Sequence, residues 1–148
     1  MGGSVLVWPA SGYDDELLQA WGLQEAAGSL PTPDDVRAAC VRLGWTLAET
    51  TVSYTFGRLR YSTWVGTMNH GAEAGPECTR LCLTEQGYRF EMGTLAAVWA
   101  LTSALAEACG PQVLSFSSGR ADVAVTGATC LADVKAAYAL AGEEAYIV

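Results

Sequence analysis

The sequence predicts an α+β fold in two layers, an antiparallel sheet built from hairpins with helices packed on one of its faces. Three observations predict it. Three segments alternate apolar and polar residues on either side of a glycine-bearing turn ("TVSYTFGRLRYSTW", "TRLCLTEQGYRFEM" and "VLSFSSGRADVAV"), which is the pattern of a hairpin with one buried face. Two segments, "PDDVRAACVRL" and "LAAVWALTSALAEAC", repeat apolar residues at helical spacing and are bracketed by cap residues. A chain of 148 residues that is 51% hydrophobic and 16% charged can also bury a real core, which sets it apart from disordered chains. One globular domain is expected over 1–148, with a strand-and-helix lead-in at 1–30 packed on the main α+β unit at 31–148.

Each element follows from local chemistry. "SVLVW" (4–8) reads as a short strand ended by Pro9. It can join an edge of its own sheet or of a second copy, so a homodimer stays open. "SGYDDELLQAWGLQEAAG" places acids in a first helical turn and apolar residues at Leu17, Leu18, Trp21 and Leu23, with Gly22 weakening the helix. In the next segment Thr32 can cap, Pro33 takes the first helical position, and Asp34 and Asp35 favour the positive end of the dipole. Gly44 supplies a left-handed stop, and Val36, Ala39, Cys40 and Leu43 form the apolar stripe.

The first hairpin has a two-residue loop, Gly57-Arg58, suited to a type II′ turn. That loop pairs Phe56 with Leu59, Tyr54 with Tyr61 and Val52 with Thr63 on an inward face. Thr51, Ser53, Thr55, Arg60, Ser62 and Trp64 are then left outside. The second hairpin turns at Gly87, with Leu81, Leu83, Tyr88, Phe90 and Met92 inward and Arg80, Cys82, Arg89 and Glu91 outward. The third turns at Gly119-Arg120 and pairs Phe116 with Val123 and Leu114 with Val125. Between the last two hairpins, Thr94 can cap a central helix with Leu95, Val98, Trp99, Thr102, Leu105 and Cys109 inward, stopped by Gly110-Pro111. A last helix is expected after a Thr129 cap, with Leu131, Val134, Ala137, Tyr138 and Ala141 inward.

The bulk chemistry narrows the function classes. A net charge of −8 and a pI near 4.4 argue against general nucleic-acid binding, which needs clustered cations. No stretch is long and apolar enough to span a bilayer, and no Lys or Arg precedes Arg37, so neither a membrane segment nor a secretory signal is expected. A cytoplasmic location is the expectation, with the five cysteines reduced. His70, the only histidine, lies in the loop "GTMNHGAEAGPEC" and reads as an exposed loop residue; a pairing with Cys78 or Cys82 lacks any nucleophile signature. His70, Glu73, Glu77, Cys78 and Cys82 do not complete a zinc set, because residues four apart on a strand stand about 13 Å apart. The carboxylates of "YDDE" and "PDD" sit in first helical turns, where the dipole accounts for them. No phosphate-binding glycine motif occurs. Neither a cofactor nor a metal is expected.

What remains is the outer sheet face, where Arg58, Arg60, Trp64, Arg80 and Arg89 are expected to project together. Arginine and tryptophan are the residue types that dominate binding hot spots. The plainer account is that the arginines solvate a wet face and pair across strands with residues such as Glu91. From Pro33 onward the order helix, strands, helix, two strands, helix is similar to that of the small acidic chaperones of bacterial type III secretion and of small acidic immunity proteins that neutralise toxins. The similarity is one of architecture and size, and no site residue follows from it. The expected function is a non-enzymatic acidic protein-binding module of that immunity-protein or dedicated-chaperone kind, with another protein as partner and neither nucleic acid nor membrane. The alternative is a small-molecule-binding protein or enzyme whose aromatics (Tyr54, Tyr61, Tyr88, Phe90, Trp99) line a pocket between sheet and helices.

Overall fold

The computed structural model describes residues 5–9, 15–20, 29–69, 78–84, 87–116 and 122–141. In chain order they form β1 (Val5–Pro9), α1 (Asp15–Ala20), α2 (Pro33–Leu43), β2 (Thr46–Phe56), β3 (Leu59–Asn69), β4 (Cys78–Thr84), β5 (Gly87–Met92), α3 (Leu95–Cys109), β6 (Gln112–Ser115), β7 (Asp122–Val125) and α4 (Leu131–Ala141). The strands make one antiparallel sheet in the order β2-β3-β4-β5-β1-β6-β7. Helices α2, α3 and α4 cover one face, as the α+β reading requires. Val7, Met68, Leu81, Leu83, Tyr88, Phe90, Leu114 and Val125 meet Val36, Cys40, Leu95, Val98, Leu101, Leu105 and Val134 in a single core.

Local signals fared well where they act over a few residues. Thr32 and Asp35 close a reciprocal capping box on α2: the Thr32 N–H donates to Asp35 Oδ2 at 2.8 Å, and the Asp35 N–H donates to Thr32 Oγ1 at 3.3 Å. Gly44 ends the helix in the left-handed region. Val36, Ala39 and Cys40 are buried, and Leu43 packs against the core. The Thr94 hydroxyl accepts the Ala97 N–H at the start of α3. That helix is buried almost all round and lies between α2 and α4, so it is the central helix that its single charge predicted. Of the expected first helix, Asp15–Ala20 is helical, and Trp21 and Leu23 lie outside the described residues.

Four expectations are corrected. β1 sits inside the sheet, antiparallel to both β5 and β6, instead of joining an edge; Pro9 belongs to it and stands opposite Gln112. The third hairpin pairs Leu114 with Val123 and Gln112 with Val125, two residues away from the expected register. A shift of two preserves the faces, so alternation alone cannot select between the registers. Thr129 does not cap α4. Its hydroxyl accepts the Thr126 N–H at 2.9 Å, while Cys130 takes the cap position and its N–H donates to Asp133 Oδ2. Finally, the face away from the helices is not uniformly wet: Thr63, Val65, Cys82 and Val113 are buried there. Cys82 lies within the influence of Arg80, Arg89 and Glu91, whose long side chains rise from the same face.

Candidate functional site

The first hairpin has the expected register and the opposite orientation. Phe56 stands opposite Leu59, Tyr54 opposite Tyr61 and Val52 opposite Thr63, and Gly57 turns the chain at φ 64. Register places these residues with Val65 and Cys82, on the face away from the helices. The core takes the other face, through Leu47, Trp64 and Met68. The strand patterns explain the inversion. In "LRYSTWVGTM" the residues at odd positions are apolar near the turn (Leu59, Tyr61), whereas the largest ones at the base (Trp64, Met68) are at even positions. A strand cannot serve both, and the helix layer covers the base.

The pairing of β3 with β4 begins only at Trp64 opposite Leu83. Beyond it, five residue pairs of the β2–β3 ribbon continue with no further strand beside them among the described residues, an arm of about 17 Å at strand rise. One face of this arm is an exposed apolar stripe. Val52 is 43%, Phe56 78%, Leu59 60% and Tyr61 42% accessible. The other face carries Thr51, Ser53, Thr55, Arg60 and Ser62, with Ser53 and Ser62 hydroxyls 3.3 Å apart.

The base of the arm is tied to the helix layer. Trp64 lies over Gly66, so closely that a Cβ at position 66 would come 2.5 Å from the far edge of the indole. The indole N–H donates to Glu49 Oε1 at 3.1 Å, and Arg37 Nε of α2 donates to the same carboxylate at 2.9 and 3.0 Å. The Arg37 guanidinium holds the Glu49 carboxyl below its ordinary range, with the indole N–H helping. Arg37 also pairs with Asp34. Trp64 is therefore a buttress of the arm.

Register also separates the five residues expected to act together. Arg60 and Trp64 lie on the helix-side face of the ribbon, Arg58 stands exposed in the turn, and Arg80 and Arg89 project from the opposite face. Arg80 Nε lies 3.1 Å from Glu91 Oε2, and Arg89 Nη2 lies 3.2 Å from Glu91 Oε1. Among the described residues the other arginine pairs are Arg37 with Asp34 and Glu49, and Arg42 with Glu107. Arg58 and Arg60 make no ion pair among the described residues, and residues 50–63 contain no acid. The chain's −8 thus divides into +2 on the arm and −10 on the rest.

Nothing comparable gathers elsewhere among the described residues. No group of His, Cys, Asp or Glu there could hold a metal ion, and His70 and the Gly119-Arg120 turn lie outside them. None of the five cysteines is in a disulfide, and burial pushes the thiols of Cys40, Cys82 and Cys109 up to about 11, which keeps them protonated and poor nucleophiles. The aromatics expected around a pocket do not converge. Tyr88 and Phe90 are packed into the core, Trp99 donates its indole N–H to the Thr129 carbonyl at 2.8 Å, and Tyr61 stands on the arm. The Tyr88 hydroxyl donates to Gln112 Oε1 at 2.9 Å, and Gln112 Nε2 donates to the carbonyls of Ser29 and Gly110. That buried network satisfies itself and ties the segment before α2 to the end of α3. No helix among the described residues is long and apolar enough to cross a membrane. No family model matches the chain, and no curated protein or solved structure does either.

Proposed function

We propose that the chain is a non-enzymatic protein-binding module that docks its partner on the β2–β3 arm, in the manner of an immunity protein or a dedicated secretion chaperone. The observation that carries this reading is the apolar stripe of Val52, Phe56, Leu59 and Tyr61, left exposed on a projecting ribbon beside two arginines without acids. Exposed apolar surface costs solubility, and the places where a fold leaves its apolar pattern facing water are where function is expected. The partner's chemistry follows from the arm: an apolar strip flanked by carboxylates, which meets both the stripe and Arg58 and Arg60. Trp64 contributes by stiffening the arm's base, so that less ordering entropy is lost on docking. Arg80 and Arg89, which share the Glu91 carboxylate, play a lesser part.

A tagged pull-down from the source cells tests this, with two variants beside the wild type. Phe56→Ser/Leu59→Ser is expected to lose a stoichiometric protein partner while thermal stability stays within about 0.5 kcal/mol, as for exposed substitutions. Arg80→Glu/Arg89→Glu is expected to retain that partner. Equal capture by the arm variant, or no protein captured by the wild type, would sink the proposal.

A further inference from the structure

We infer that two copies of this chain pair through the edge of β2 that no described strand covers, antiparallel about a twofold axis, so that one continuous sheet runs through both and each arm lies along the base of the other copy's β2. This rests on the reading of the arm as a docking element and says how that element is built.

The two edges of the sheet differ. β7, at one edge, is four residues long and opens with Asp122. β2, at the other, is eleven residues long, "TLAETTVSYTF", and contains no Pro, Lys or Arg. Its pairing with β3 is unbroken by any bulge. Its single charge, Glu49, points to the helix side and is engaged by Arg37 and Trp64. Folds that stay monomeric shorten, charge or kink their edge strands. From Thr50 to Phe56, β2 has none of those devices.

Hydrogen-bond geometry says which groups are available. In a two-residue hairpin the flanking pair, Phe56 and Leu59, exchanges backbone hydrogen bonds, and bonded pairs then alternate along the ribbon. Tyr54 and Val52 therefore bond to β3, whereas the N–H and C=O groups of Thr51, Ser53 and Thr55 point outward from β2. These are the groups that a further strand would meet.

Charge selects the direction. A parallel arrangement would lay tip on tip, Arg58 and Arg60 against their own copies. The antiparallel arrangement carries each +2 tip toward the −10 remainder of the other copy. With Val52 opposite its own counterpart, Thr55 of one copy stands opposite Glu49 of the other. Arg60, the cross-strand partner of Thr55, then falls on the same row and the same face as that Glu49. The same register keeps Val52 and Phe56 of both copies on one face, so pairing joins the two apolar stripes end to end at Val52 into one longer strip offered to a partner.

Sedimentation equilibrium on the full chain, from about 1 to 300 µM, tests the inference. The wild type is expected at twice 15.6 kDa. Ser53→Pro removes one outward N–H and no bond to β3, and it is expected to raise the dimer dissociation constant at least about tenfold. Val52→Glu puts like charges on the axis and is expected to do the same, which covers the case in which the proline variant fails to fold. Arg58→Glu/Arg60→Glu is expected to weaken the dimer several-fold and to reverse its response to salt, because a −2 tip is repelled by the −10 remainder and salt screens that repulsion. A monomeric wild type at 300 µM overturns the inference, as does a dimer that folded Ser53→Pro and Val52→Glu leave intact. Neither outcome touches arm-dependent capture of a partner, which the pull-down reads separately.

Discussion

At the scale of single residues, the described structure gives each unusual side chain a physical task, and three predictions follow from those tasks. Thr102 is wholly buried on α3, and its hydroxyl has no hydrogen-bond partner among the described residues. Replacing it by the isosteric Val removes an uncompensated polar group, so Thr102→Val is expected to raise stability by about 1 kcal/mol in chemical denaturation. Asp35 completes the capping box, and the Thr32 N–H lowers its pKa below the ordinary carboxylate value. Because the folded pKa is depressed, the carboxylate's contribution is present above about pH 4 and fades as pH falls through the lowered value. Asp35→Ala is expected to cost about 1 kcal/mol at pH 7 and to converge with the wild type in acid. The thiols give the third. Cys130 is exposed, whereas Cys40, Cys82 and Cys109 are buried. A native titration with Ellman's reagent should label Cys130 first, and the buried three should react only after denaturant is added.

At the scale of elements, the arm and its base obey different rules. The arm's register was legible because a two-residue turn with Gly57 sets it locally. Its orientation was not, because alternation defines two faces without saying which one the helices will cover. Tip and base vote oppositely, and the base wins: Trp64 and Met68 have the helix layer above them, while the described pairing of β3 with β4 does not extend to Leu59 and Tyr61. The expected cluster of Arg58, Arg60, Trp64, Arg80 and Arg89 is divided between two faces for this reason, since a relation between two hairpins depends on the β3–β4 register and not on either turn. The close seat of Trp64 over Gly66 gives a test at this scale. Gly66→Ala must displace the indole or the Leu47 side chain, 3.1 Å away, and is expected to cost about 1–3 kcal/mol with loss of the Trp64–Glu49 bond. Wild-type stability in that variant would mean that the indole is free to move aside and does not brace the arm.

At the scale of the whole molecule, β1 is decisive. Among the described strands it is the one that pairs with both β5 and β6, through Val7 opposite both Tyr88 and Leu114. A bridge of that kind makes the two parts one cooperative unit. Val7→Ala is expected to cost about 2 kcal/mol, and far-UV circular dichroism and tryptophan fluorescence are expected to report one coincident unfolding transition. Two separated transitions would show that the halves of the sheet stand independently.

The sequence by itself determined what is decided within a few residues: the capping of α2 and α3, the turn at Gly57, the register of the first hairpin and the α+β class. The tertiary structure alone decided the insertion of β1 between β5 and β6, the two-residue slip of the third hairpin and the face that the helices cover. Caps and tight turns are satisfied by neighbouring backbone groups, so their energetics are written locally. Strand order, slip by an even number and choice of face leave the alternating pattern unchanged, and only the packing of distant side chains distinguishes between them. The exposed stripe on the arm belongs to the second kind.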